Sequence, residues 1–337
     1  MITKKTVLVL GAGASMPFGF PSGQGLVDKI SHTIVKWFDY RESKNIRGIG
    51  NKEKFGYFIK KLQKADPPSI DIFLEAHPDL QPVGKAAIAM ALLPLEHTGN
   101  LKEKFGRRRV MKKSSRKEER EKAEILSDIF SADNWYQYLF YSKLWDSFET
   151  FDKNELSVIT FNYDRSFEQS MFTSLTAMAP ENTHKEKIIE KVKAIKIIHP
   201  HGKLGPLEWE PHGHQEEIPY DSDLDELLIG RASRNIKIIS DATAREDFRE
   251  AHEELESSKR IYFLGFGFDE TNVRRLLPEH IRGKLSLRGT SYGLSPHQIT
   301  KMDKLGIKMM DGSYVNNHFP PKKVFEYLYN DPNAILD

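Results

Sequence analysis

The sequence predicts an α/β fold: a mainly parallel sheet with helices on both faces and a large helical insertion. Three observations carry that reading. The chain opens on a short β-branched run, Thr6 to Leu10, that empties into Gly11-Ala12-Gly13-Ala14-Ser15. From residue 25 to residue 150 apolar residues recur at helical spacing. Beyond residue 150, apolar strand-like runs alternate with helical stretches, the pattern of parallel strands joined by crossover helices.

The first run, bounded by glycine, reads as an inner strand of a parallel sheet, and the chain from Gly23 reads as the start of a helix. Strand, tight loop and helix outline a nucleotide site. Glycines let the backbone approach a pyrophosphate, while loop amides and a helix N-terminus favour its charge. A full dinucleotide fingerprint places a third glycine where Met16 stands, so the loop alone fits a nucleotide site and a plain strand-to-helix turn equally well.

In the helical region, Phe55, Tyr57, Phe58, Ile59 and Leu62, and later Trp135, Tyr138, Leu139, Tyr141 and Leu144, are spaced as core residues. After Pro67-Pro68, Ser69 or Asp71 is available to cap a helix. The apolar run 86–93 ends at Pro94, well short of the roughly 20 residues that span a bilayer, and reads as a buried helix. Residues 102–124 hold eleven basic and five acidic side chains, either a solvated face or a surface for an anionic or protein partner.

Strands are then expected at 156–161, 194–198, 236–239 and 260–264, with edge strands at 291–294 and 307–310. Helices are expected at 247–258, 269–277 and 322–329. The resulting organisation is a Rossmann-like unit formed by 1–24 and 151–337, with 25–150 inserted as a helical subdomain.

Composition narrows the function classes. The 337 residues are 39% hydrophobic with a formal net charge of +2, which suits a globular chain and gives no overall electrostatic case for nucleic-acid binding. Cysteine is absent, which removes disulfides, thiolate zinc sites and cysteine nucleophiles, and a cytoplasmic setting is expected. Lys4-Lys5 before an apolar run imitates a signal peptide, but the run is too brief and continues into a patterned helix. No membrane association is expected. His212-Gly213-His214 has no third ligand nearby in the sequence and reads as a loop, so no metal is assigned.

Ligands of open α/β sheets lie beyond the carboxyl ends of the strands, and those positions are rich in reactive groups here. The first strand ends at Gly11, Gly13 and Ser15, the second at Asn162 and Asp164, the third at His201, and a later one at Gly265, Gly267 and Asp269. Each group has a plainer role as a turn former. Together they define one crevice.

Gly11-Ala12-Gly13-Ala14-Ser15, Thr160-Phe161-Asn162-Tyr163-Asp164, His201-Gly202 and Gly265-Phe266-Gly267, in that order, resemble the sirtuin family of NAD-consuming enzymes. Ser69-Ile70-Asp71, His201-Gly202-Lys203 and Gly267-Phe268-Asp269 make the likeness closer to its bacterial sirtuin-like branch, over residues 5 to 275. Two departures qualify it: the four cysteines of the deacylase zinc module are missing, and Gly19-Phe20-Pro21-Ser22-Gly23 replaces an acidic, arginine-bearing loop. The resemblance therefore implies NAD as substrate, no zinc, and water as acceptor.

By that resemblance Asn162 positions the attacking water and the ribose hydroxyls, His201 takes a proton, and Asp164 holds the nicotinamide carboxamide. Gly11, Ala12, Gly13 and Ser15 hold the pyrophosphate and adjoining ribose. Gly265, Phe266, Gly267 and Asp269 meet the adenosine side, and Thr160 either lines the cleft or is a plain strand residue. The family likeness further implies an effector of antiphage defence acting by abortive infection, restrained by homo-oligomer assembly, by a partner such as a HerA-type ATPase or an Argonaute-like protein, or by the helical insertion covering the cleft. An NAD or ADP-ribose sensor without turnover, an ADP-ribosyl transferase and a zinc-free deacylase are the alternatives.

Overall fold

A computed structural model of the chain describes residues 1–44, 52–102, 134–211, 216–238, 242–278, 287–296, 298–299 and 319–330. Five strands form one parallel sheet: β1 (Thr6–Leu10), β2 (Leu156–Thr160), β3 (Lys196–Ile198), β4 (Arg260–Leu264) and β5 (Leu287–Gly289), in the order β3-β2-β1-β4-β5. This is the doubly wound, Rossmann-like arrangement, with the central strand first in sequence.

The sheet is buried on both sides, which is why its strands are apolar throughout instead of alternating. Leu8 and Leu10 of β1, Val158 of β2 and Tyr262 and Leu264 of β4 join one core. Their neighbours Val7, Val9, Ile159, Ile261 and Phe263 join a second core on the opposite face.

Between β1 and β2 lie the short α1 (Ala12–Ser15), α2 (Gly23–Lys44), α3 (Lys52–Ala65), α4 (Ile70–Ala76), α5 (Gln81–Leu92), α6 (Thr98–Lys102) and α7 (Trp135–Leu139). Their apolar residues, among them Phe58, Phe73, Ile88 and Trp135, share the core of the first sheet face. Ser69 is the cap of α4, its hydroxyl accepting from Ile72 N at 3.4 Å. The second half supplies α8 (Ser166–Met178), α9 (Lys185–Lys193), α10 (Glu226–Asn235), α11 (Ala242–Ser257), α12 (Glu270–Leu276) and α13 (Val324–Asn330). None of the helices in the described residues is long and apolar enough to cross a membrane.

Two expected strands are corrected. At 236–238 Ile236 makes only an isolated antiparallel bridge to Gly202. The reason is local: Gly202, at φ +69°, has already turned the chain away from β3, so the segment after α10 meets a turn. Residues 291–294 form a turn in which Leu294 N donates to Ser291 O at 3.1 Å, and the edge strand β5 lies upstream. Residues 307–310, most of the basic segment 102–124, and His212 to His214 lie outside the described residues.

Candidate active site

Strand order reverses at β1, with β2 and β3 on one side and β4 and β5 on the other, so the topological crevice opens beyond the ends of β1 and β4. There the two glycine loops meet backbone to backbone. Gly11 N donates to Leu264 O at 3.1 Å, and Gly13 N donates to Gly265 O at 2.9 Å. A Cβ on Gly11 would lie 2.6 Å from Gly265 O, and one on Gly265, whose φ is +59°, would lie 2.1 Å from Ala14 N. Gly11 and Gly265 are thus required by the contact between their own loops. Gly267 differs, since a Cβ there meets nothing within 4 Å among the described residues.

Asn162, just past β2, is buried and points its amide back at the first loop. Nδ2 donates to Gly11 O at 3.0 Å and to Ser15 Oγ at 2.9 Å, while Asn162 N donates to Thr160 Oγ1 at 3.2 Å. Both amide hydrogens are therefore held inside the protein, and Oδ1 is the end left outside these bonds. Ser15 and Ser166 also hydrogen-bond the Asp164 carboxylate, and Tyr136 shares Ser166 Oγ at 2.8 Å. Burial pushes the Asp164 carboxyl up to about 6, against the opposing effect of those hydrogen bonds.

His201 follows β3 and is 2% exposed. Its ring packs edge-on against Phe161, centroids 5.3 Å apart, and beside Tyr163 and Phe248. Nδ1 lies 3.4 Å from Asp71 Oδ1, to which the Tyr163 hydroxyl also donates. Nε2 is buried with no hydrogen-bond partner among the described residues. Burial pushes the Asp71 carboxyl up, but the adjoining His201 ring and the hydrogen bonds from His201 and Tyr163 outweigh it and hold the group below its ordinary range.

A second histidine braces the same corner. His199 Nδ1 lies 3.1 Å from Asn162 O and Nε2 lies 2.7 Å from Glu168 Oε1 on α8. Burial works against ionising Glu168, yet His199 and Lys203 hold its carboxyl well below the usual carboxylate range. Beneath it, Arg165 and Glu96 form a fully buried ion pair in which Arg165 N also donates to Glu96 Oε1 at 3.0 Å.

The remaining expected residues have structural roles in the same loops. Ala12 lies in the turn of helix α1 after Gly11. Phe266 is buried between Phe161 and Phe263, with ring centroids 5.2 Å and 5.3 Å away. Asp269 caps α12, its Oδ1 accepting from Thr271 N at 3.0 Å and Asn272 N at 3.1 Å. No group of three or more His, Asp or Glu among the described residues is placed to hold a metal ion.

In the sequence Asp71 reads only as a possible cap and a recurrent motif residue, and Tyr163, His199 and Glu168 carry no expected role. Asp71 is 130 residues from His201, so nothing local in the sequence links them.

Beyond the geometry stands one family likeness. Residues 156–298 match the SIR2-like domain. The match runs from β2 through β5 and includes the loops carrying Asn162, His201 and Gly265, whereas β1 and its glycine loop precede it and pair with β2 and β4. It supports a sirtuin-like family and an NAD-related activity in the broad sense. No curated protein and no solved structure gives a significant match to the chain.

Proposed function

We propose that this chain is an NAD glycohydrolase, cleaving NAD with water to nicotinamide and ADP-ribose. The observation that carries the reading is His201. A buried histidine that merely fills a core has both ring nitrogens satisfied, but here Nε2 is buried and unpartnered among the described residues while Nδ1 faces a carboxylate. The SIR2-like match over its loop supports NAD as the molecule it meets.

The bond between ribose C1′ and the nicotinamide nitrogen breaks with its electron pair passing to the ring, which becomes neutral and needs no proton. Positive charge develops on the sugar, as in other glycosidic cleavages. Water bonds to C1′ and gives its proton to His201 Nε2. Asn162, its amide fixed by Gly11 O and Ser15 Oγ, offers Oδ1 as an acceptor for that water or a ribose hydroxyl. Asp164 is assigned to the nicotinamide carboxamide. Ala12 is assigned to the pyrophosphate, between Gly11 and Gly13, whose own amides are taken by Leu264 O and Gly265 O, and Gly267 is assigned to the adenosine side, where its open space admits a close approach.

A chain that destroys NAD requires restraint. The reading extends to an antiphage effector held in check by self-assembly or by a partner of the HerA-type ATPase or Argonaute-like kind, and this extension rests on motif resemblance alone.

The test is release of nicotinamide and ADP-ribose from NAD by the purified protein, alone and with lysate from phage-infected cells. His201→Ala and Asn162→Ala should each lower turnover by about 10²- to 10⁴-fold with the fold intact. Near-normal hydrolysis by both variants would overturn the reading. Tight NAD binding without release in every condition would favour a sensor.

A further inference from the structure

We propose that Asp71 is a positioning residue for His201, carried into the site by a helix from the segment between β1 and β2. This rests on the reading of His201 as the proton acceptor. Asp71 sits in the first turn of α4, where an acidic side chain is ordinarily a partner of the helix N-terminus. Ser69 already takes the capping bond, and the Asp71 carboxylate faces across to the loop after β3.

Three separate segments meet at Asp71 Oδ1. His201 Nδ1 approaches from the loop after β3, and the Tyr163 hydroxyl donates from the loop after β2. Burial and the adjoining Asp71 charge hold the Tyr163 hydroxyl well above its ordinary range, so it stays a neutral donor. A carboxylate only accepts, so the His201 nitrogen that faces it, Nδ1, must carry the hydrogen. The lone pair of a neutral ring is then on Nε2, the buried nitrogen without a partner among the described residues. A ring free to choose would divide between two tautomers and several orientations; the carboxylate selects one of each.

Helix α4 is fixed well enough for this task. Ile70, Phe73 and Leu74 are buried, and Leu74 packs where a Cβ on Gly84 of α5 would stand, 2.3 Å from its Cδ2. Near its other end, Arg275 on α12 donates to Glu75 at 2.6 Å. The helix therefore reaches from the loop after β3 to the helix after β4, tied by a charged contact on either side.

Two readouts test the assignment, one of them independent of NAD turnover. Nitrogen-15 NMR of histidine-labelled protein, with the His201 signals identified by their loss in His201→Gln, should show Nδ1 protonated and Nε2 unprotonated in the neutral ring. In Asp71→Ala, and in the isosteric Asp71→Asn, the Nε2-protonated form should appear. Glu75→Gln, which loosens α4 away from His201, should leave the signals unchanged. In NAD hydrolysis Asp71→Asn should lower kcat by about 10²-fold or more with KM within about 3-fold. An unchanged His201 tautomer in both Asp71 variants would overturn the proposal even for a protein silent towards NAD. So would full kcat in Asp71→Asn beside an inactive His201→Ala. A silent wild type whose tautomer responds to Asp71 would instead sink the hydrolase reading and retain the positioning role.

Discussion

Asn162 Nδ2 lies 2.9 Å from Ser15 Oγ, and Ser15 is 2% exposed. The serine at the end of the glycine loop is therefore committed to a neighbouring side chain, although its place in the loop suggests a phosphate or ribose contact. The two roles separate kinetically. Ser15→Ala removes an acceptor of the Asn162 amide, so kcat for NAD should fall by about 10-fold with KM nearly unchanged. A raised KM with kcat preserved would mean that Ser15 touches the substrate directly.

The two glycines after β4 should behave in opposite ways. Gly265→Ala forces a left-handed φ of +59° on alanine and drives its Cβ into the backbone at Ala14, 2.1 Å away. Destabilisation of at least about 3 kcal/mol is expected in urea unfolding. Gly267→Ala should change stability by less than about 0.5 kcal/mol, because a Cβ there meets nothing within 4 Å among the described residues. If Gly267 is where a nucleotide comes close, the same variant weakens NAD binding; unaltered binding would remove it from the site.

What could be read from the chain follows the range of the forces involved. Strands β1, β2 and β4 announce themselves because both faces of each are buried, which makes the run itself apolar. Asn162 and His201 stand out in the sequence because they follow strand-like runs, and the structure does place them just past β2 and β3. The failures occur where distant segments decide. Ile236 has strand composition but meets the chain after Gly202 has turned it. Asp71 looks like a cap until folding brings His201 to it, and the need for glycine at position 11 shows only once Gly265 is pressed against it. Residue type is written locally, but its partner is not.

The Asp164 carboxyl makes stability depend on pH in a defined direction. Burial raises it from an ordinary 3.8 to about 6, so the folded state binds the proton more tightly than the unfolded chain. The stabilisation is fully present below about pH 4 and is lost as pH rises through about 6, a difference of about 3 kcal/mol. Unfolding free energies of wild type and Asp164→Asn across this window should diverge, the wild type losing ground as pH rises. Parallel curves would show that the carboxyl is hydrated.

The buried pair Arg165 and Glu96 joins the loop after β2 to the end of the helical segment before it. Arg165 Nη1 also donates to Ile218 O at 2.6 Å and reaches Gly205 O at 3.3 Å, so one guanidinium ties three stretches of chain. Burial opposes its charge, yet Glu96 more than compensates and keeps the group protonated more firmly than usual. Arg165→Ala leaves a carboxylate alone in the interior and should destabilise by about 3 to 5 kcal/mol. Replacing both partners, Arg165→Met with Glu96→Leu, should cost less than the two single changes together, because neither charge is then stranded. The carbonyls of Gly205 and Ile218 still lose their donor, so the double variant should remain below wild type. A double-mutant cycle in urea unfolding measures this. Additive single changes would mean that the pair is hydrated and that the three stretches are held by their apolar contacts alone.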